Sequence, residues 1–539
     1  MTDSLKTVRS RTKSDNRPQD VSTKTREDQI VNHDGGGLVF KIDGFEQAKR
    51  FLVLGSESNF YRSGQEMSAT NAKNIIELAS NPETAKALVD LIVEISTAGR
   101  APKANPALFA LAISASHGDD ESRAYALSKL QAVARTGTHL FLFAGYVEQF
   151  RGWGRALRRA IAEWYTDKGA DKAAFQTVKY QNREGYSHRD LFRLSHPVTD
   201  DAAFKGLGEW ILRGNSDEAP AIIKGFVAAK QPGADVPALI REYGLSWEMI
   251  PTESLNDVKA WEALYESNLP LGALIRQLPR LTRIGFLPEL GGRTAEVVKR
   301  LTNVEELRRA RIHPINLLIA HKTYGSGRSE RGDSTWKPVQ KIVDALNDAF
   351  YLAFQTVEPS GKNTMIGVDV SGSMASSGMY NYRTGRYENA NGLSPAEIAA
   401  ALSLVTLNVE ENSVVYGFAT NLVELPISPK MRLNDVLRET SKRAFGSTNP
   451  GALIQEAIKK NIPVETFIVI TDNEVNTGRH VYQLLEQYRQ KSGIPARMIV
   501  LAVTATDYSI ADPKDNLSLD LAGFDSATPS LIADFSRGF

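Results

Sequence analysis

The hydrophobic pattern of this chain changes its period once, near residue 362, and that change narrows the folds open to it. Upstream, from about residue 38 to 355, apolar residues recur every three or four positions in stretches such as "TAKALVDLIVEIS", "NPALFALAISAS", "ESRAYALSKLQAVAR" and "GRALRRAIAEWYTDK". That is the period of amphipathic helices, and with no strand pattern between them the expectation is a stack of helical hairpins of the solenoid kind. Downstream, β-branched runs ("TMIGVDV", "SVVYGFAT", "ETFIVITD", "ARMIVLAVTA") alternate with helical stretches ("SPAEIAAALSLVTLNVE", "NPGALIQEAIKKN", "GRHVYQLLEQYRQKSG"). Such alternation predicts a mostly parallel sheet covered on both faces. The polar, mixed-charge start of the chain offers little to bury and reads as a disordered tail. The predicted organisation is a tail over 1–34, a helical module over 35–361 and an α/β domain over 362–539, with an exposed Gly- and Ser-rich loop, "YGSGRSERGDSTWKP", at 324–338.

Composition closes off several chemistries. The chain of 539 residues contains no cysteine, so disulfides, thiolate zinc sites and cysteine nucleophiles are excluded, in keeping with a reducing, cytoplasmic setting. The N-terminus lacks the apolar core of a secretory signal, and the longest apolar runs fall short of the roughly 20 residues that cross a bilayer. No membrane association is expected.

Charge is balanced overall, with 64 Lys and Arg against 63 Asp and Glu, but it is not spread evenly. Residues 151–193 hold ten basic and five acidic side chains, and 276–314 hold nine and four, whereas 362–539 hold 16 and 19. The helix "RGWGRALRRAIAEWYTDK" gathers Arg151, Arg155, Arg158 and Arg159 beside aromatic residues, a combination suited to phosphates and unstacked bases. Lys172, Lys179 and Arg189 continue the first cluster; Arg276, Arg280 and Arg283 belong to the second. In "YSHRD", Ser187 reads as a helix N-cap and Asp190 as a first-turn acid, which places His188 at an exposed helix start as a phosphate or base contact. A solvated helix face is the competing reading of each cluster taken alone.

In an open α/β sheet the working crevice lies at the carboxyl ends of the strands. "VDVSGSM" brings Asp369, Ser371 and Ser373 there, "GSTNPGALI" brings Thr448, and "FIVITDNEV" brings Asp472. Two carboxylates and three hydroxyls form a hard-oxygen set suited to a divalent ion, above all Mg²⁺. The set resembles the metal-ion-dependent adhesion site of von Willebrand factor A domains, with one departure: Asn449 follows Thr448 where relatives often place Asp. A haloacid dehalogenase reading fails because Ser371 stands where that chemistry needs a second Asp. A Ser/His/Asp hydrolase has only His480 to draw on in this domain.

Taken together, "FLVLGSESNFY", "WGRALRRAIAEWY", "YSHRDLFRLSHP", "LPLGALIRQLPRLT", "RIHPINLLIAHKTYGSG" and "FQTVEPSGKNTMIGVDVSGSM" are similar to the Ro autoantigen family, from about residue 38 to the C-terminus, with a spelling that suggests a bacterial member. The resemblance implies an α-helical HEAT-like repeat ring, the TROVE module, joined to a doubly wound α/β von Willebrand factor A domain. It further implies a monomeric, non-catalytic protein that binds small noncoding Y RNAs on its outer surface. The family also takes single-stranded 3′ ends of misfolded RNAs through a central hole and works with a 3′-to-5′ exoribonuclease such as polynucleotide phosphorylase. By the same resemblance His188 and Arg155, Arg158 and Arg159 fall on the Y RNA surface. The alternative is a scaffold whose metal site grips an acidic residue of a protein partner.

Overall fold

The structure, a computed structural model, describes residues 18–32, 36–54, 64–353 and 358–538 except for 102, 184, 268, 311, 313, 330–332, 372–373, 375–378, 382–385, 389–394, 433–434, 437, 440–445, 474, 504–505 and 524–527. The chain forms two compact units: residues 72–353, and residues 354–539 together with those up to 71.

The 72–353 unit is a succession of short helices, among them Pro82–Ala98, Asn105–His117, Gly137–Phe150, Arg155–Thr166, Gly169–Lys179, His188–Ser195, Leu271–Arg283 and Gln340–Leu352. They end where the sequence says they should. Asn81 and Asp119 cap helix starts, while Gly99, Gly214 and Gly244 adopt left-handed conformations at helix ends, which glycine does without steric cost. One expected helix, "ESRAYALSKLQAVAR", is two: Asp120–Ser128 and Leu130–Val133. The 324–336 loop folds back on itself, with Arg328 bridged to Thr335 and the rings of Tyr324 and Trp336 stacked 6.4 Å apart.

The other unit carries a six-stranded sheet. Its strands, with those of a small side sheet, are β1 (Gln29–Val31), β2 (Leu38–Lys41), β3 (Thr364–Asp369), β4 (Ser413–Phe418), β5 (Leu422–Glu424), β6 (Thr466–Thr471), β7 (Arg497–Ala502), β8 (Tyr508–Ser509) and β9 (Ser518–Ala522). The order is β9-β7-β6-β3-β4-β5, parallel throughout except for the antiparallel edge strand β5. β3 and β6 are buried at every position, the mark of a parallel sheet covered on both faces and the reason their sequences are apolar without alternation.

Two expectations about the N-terminal region are corrected. Residues 18–32 belong to the ordered fold and not to a tail, and the segment 38–54 packs with the α/β unit and not with the helical one. β1, β2 and β8 pair as an antiparallel sheet, and Val39 joins the α/β core. The helix Gly44–Leu54 sends the fully buried Arg50 to an ion pair with Asp520 of β9 and to hydrogen bonds with Thr506 and Tyr508. The polar segment 18–32 gains its order from partners more than 450 residues away in sequence, Thr23 with His480 and Thr25 with Tyr482, a relationship that local periodicity does not carry.

Candidate functional site

The first candidate site lies at the carboxyl ends of β3 and β6. Their parallel register sets Ile470 beside Val368, so Thr471 and Asp472 come level with Asp369. Asp369 is fully buried. Its Oδ1 accepts the Ser371 amide at 2.9 Å, and its Oδ2 accepts the Thr471 hydroxyl at 2.7 Å. Burial and the neighbouring charge of Asp472 push the Asp369 carboxyl well above the usual carboxylate range. Thr448 and Asn449 arrive from the third loop, both buried. The Thr448 amide donates to Asn476 Oδ1 at 2.7 Å, and the Thr448 carbonyl accepts from the amides of Asn476 and Thr477.

Two buried carboxylates held this close repel each other unless protons or a cation compensate. Asn449 Oδ1 is buried without a hydrogen-bond partner among the described residues, and Gly478 lies so near that a Cβ there would sit 2.0 Å from it. Asp369, Ser371, Thr448 and Asp472 are thus hard oxygen donors converging from three loops and could hold a divalent ion. Ser373 lies outside the described residues. No group of three His, Cys, Asp or Glu side chains forms a second metal cluster among the described residues. His480 faces Thr23, with 2.6 Å between its Nε2 and the Thr23 hydroxyl. Thr471 and Asn476, which fix Asp369 and Thr448, were not singled out by the sequence; the Thr before the strand-end Asp was the only available signal.

The second candidate site is on the helical unit. In the helix Arg155–Thr166, Leu157, Ala160, Ile161, Trp164 and Tyr165 are buried, which leaves Arg155, Arg158 and Arg159 exposed on the opposite side. The three form no ion pair among the described residues. Basic residues in a first turn with no acid oppose the helix macrodipole; the arrangement lowers helix stability and raises the positive potential at that end. Arg151 is exposed just before it, and Arg189, also exposed, donates to the Leu212 carbonyl.

A cleft of about 470 Å³ is lined by Arg135, Lys168, Asp171, Lys172, Phe175 and Gln176. The Lys168 ammonium lies 3.8 Å from the centre of the Trp164 ring, and burial pushes its pKa down to about 8, against the pull of Asp167. Lys179 pairs with Glu248 at 3.8 Å and lies over the rings of Phe175 and Tyr180. Burial raises the Tyr180 hydroxyl above its ordinary value, with the charge of Glu248 adding to the rise and that of Arg276 opposing it. Arg280 is half-buried and crowded by Arg283, and both burial and that charge lower its pKa. Among the described residues, Arg276, Arg280 and Arg283 do not line the cleft. Arg135 lies outside both clusters and was missed.

One expectation is overturned. Ser187 does cap its helix, in a reciprocal box with Asp190, but His188 is not exposed. It is buried, with Nε2 2.8 Å from the Tyr180 carbonyl and Nδ1 2.7 Å from the Tyr165 hydroxyl. The reason is legible in retrospect. His188, Leu191, Phe192 and Ser195 are the buried positions of the helix, spaced three, four and seven apart, so His188 heads an apolar stripe.

Residues 31–217 and 242–323 match the family described as the TROVE domain, and residues 363–536 match the Ro60 vWA domain. A Deinococcus radiodurans protein named RNA-binding protein RO60 is 36% identical over 97% of this chain and 98% of its own length. The chain belongs to the Ro60 family. A Caenorhabditis elegans member of the same name is 34% identical over 96% of this chain and 91% of its own. The crystal structure of the Deinococcus radiodurans RO (RSR) protein superposes with a TM-score of 0.67 at 33% identity, covering 92% of this chain and all of that one. For this Ro60 family member the two-part architecture of helical TROVE region and α/β von Willebrand factor A domain is therefore shared with its relatives. No helix among the described residues is long and apolar enough to cross a membrane.

Proposed function

We propose that this protein is a non-catalytic RNA-binding member of the Ro60 family acting in RNA quality control in the cytoplasm. Its helical unit binds small Y-type noncoding RNAs and the single-stranded 3′ ends of misfolded RNAs, which pass to a 3′-to-5′ exoribonuclease. The observation that carries this reading is the exposed guanidinium face of Arg155, Arg158 and Arg159, without an ion pair among the described residues, at the start of a helix whose first turn holds no acid. Relatives named as RNA-binding proteins support it. The experiment is a titration of Y-type RNA against the wild type and an Arg155→Glu/Arg158→Glu variant across a salt series. Affinity falls steeply with salt for the wild type, and the variant has a lower slope, by about one unit per lost phosphate contact. Equal affinity and slope in the two proteins would remove the assignment.

A second reading is favoured by the buried Asp369 and Asp472. In it Mg²⁺ occupies the strand-end site, held by Asp369, Ser371, Ser373, Thr448 and Asp472, and takes the carboxylate of a protein partner. Pull-down with nuclease or with chelator separates the two: partners lost on nuclease are held through RNA, and partners lost on chelator are held through metal.

A further inference from the structure

Trp153 stands between two glycines immediately ahead of the arginine helix. Gly152 has φ +80°, and a Cβ at either Gly152 or Gly154 would meet nothing within 4 Å, so the backbone on both sides of the indole is open to approach. The side chain itself is fixed in place. Its Nε1 donates to the Tyr186 hydroxyl at 3.0 Å, and that hydroxyl donates to Glu148 Oε2 at 2.7 Å. The Tyr186 ring, itself buried, lies 6.0 Å away and tilted 52° from the indole. Burial and the Glu148 carboxylate push the Tyr186 hydroxyl up to about 12, so it stays protonated and the relay stays intact at any working pH.

A half-buried indole on an open loop is an odd use of the largest side chain. In a core it would fill volume; here its one polar atom is satisfied and its ring is kept at the surface. Around it stand Arg151 and Arg155, both exposed, with Arg158 one turn on, and a helix start whose Gly154 N-cap offers no side-chain acceptor. The backbone amides of that first turn and the guanidinium groups can take phosphates. An aromatic face set beside phosphate donors is what an unpaired nucleotide uses: the base stacks on the ring while its phosphates are held at the side. Because the indole N–H is occupied by Tyr186, the ring offers its face and no base-edge donor, so the contact does not discriminate among bases.

We propose that Trp153 is the stacking platform for one unpaired RNA base, held rigid by the Tyr186–Glu148 relay, with the adjoining phosphates on Arg151, Arg155 and Arg158. The assignment rests on the RNA-binding reading above.

The test uses the full chain and two probes, a single-stranded RNA oligonucleotide and a blunt duplex of the same sequence. Trp153→Ala weakens single-strand binding by about tenfold, the cost of one lost stack, with the salt slope unchanged because no charge is lost. Trp153→Phe keeps most of the affinity, and the duplex is indifferent to both. Single-strand binding quenches tryptophan emission in the wild type and not in Trp153→Phe, a readout that does not depend on the alanine variant folding. Unchanged single-strand affinity in Trp153→Ala together with unchanged quenching in Trp153→Phe overturns the platform and leaves RNA binding standing. Wild type that binds neither probe overturns the RNA reading itself. An equal loss on single strand and duplex overturns stacking in favour of a backbone contact.

Discussion

The hydroxyl of Tyr165 lies 2.7 Å from Nδ1 of His188, and both side chains are buried. Tyr165 belongs to the arginine-bearing helix and His188 to the next capped one, so this contact ties the exposed guanidinium face to its neighbour. Nε2 donates to the Tyr180 carbonyl, and because burial keeps the ring neutral at ordinary pH, Nδ1 accepts the tyrosine proton. Gly137 makes room for it; a Cβ there would lie 3.0 Å from Nε2.

His188→Ser removes that hydrogen bond and the edge contact with Phe141, and the helical unit should lose roughly 2–4 kcal/mol. Denaturant melts beside RNA titrations check it. A variant that loses RNA affinity with an unchanged melt would mean that the ring leaves its pocket on binding.

The same ring sets an acid limit. Burial holds His188 down to about 4, against an ordinary value near 6.5. The folded-state value is the lower one, so the unfolded chain takes up the proton first. The stabilisation is fully present above about pH 6.5 and is lost as pH falls towards 4, by at most about 3 kcal/mol. Melting temperatures measured from pH 7 to 4 should fall through that window, and less steeply in His188→Phe.

On the proposed RNA-binding reading, Lys168 should give RNA affinity an alkaline limit. Its pKa, pushed down to about 8 by burial, places its charge loss between pH 7 and 9. Binding at the cleft weakens as pH rises through that range, while a Lys168→Arg variant, charged throughout, gives a flat profile. Fluorescence anisotropy at constant ionic strength distinguishes the two.

At the strand-end site, Mg²⁺ should raise the melting temperature of the wild type by a few degrees at saturating concentration and leave Asp369→Asn unmoved. Without metal the order reverses. The raised Asp369 value means that ionising this carboxyl near neutral pH costs stability, so the neutral amide melts at or above the wild type. A wild-type melt indifferent to Mg²⁺ counts against the metal.

The N-terminal segment braces the loop that carries Asp472. Gly37 donates to the Val475 carbonyl at 2.8 Å, where a Cβ would lie 2.5 Å from the oxygen, and the Gln19 amide donates to Asn476, the residue that holds Thr448. Farther along, Arg50 and Asn473 share Thr506. Gly37→Val should therefore weaken Mg²⁺ affinity without touching a metal donor. Arg50→Met, which strands Asp520, should cost roughly 3 kcal/mol. Calorimetric metal titration and denaturant melts read the two effects.

The amino-acid sequence by itself determined the elements of the fold and the chemistry of the metal candidate. The change of hydrophobic period near 362, the capping residues and the unbroken apolar strands are local properties; Asp369, Ser371 and Asp472 stand at or just past the ends of their strands, and Thr448 stands just ahead of the helix Gly451–Lys460. The amphipathic spacing likewise fixed Arg155, Arg158 and Arg159 on one side of their helix. Tertiary structure decided what depends on distant partners. It turned His188 inward, because its place on the apolar stripe mattered more than its place beside a cap. It drew Arg135 into the cleft beside Lys168 and Lys172. It also ordered a polar N-terminal segment against a loop more than 430 residues downstream. Hydrogen bonds of that kind leave no period in the sequence, since neither partner needs a neighbour of any particular type until the sheet has formed.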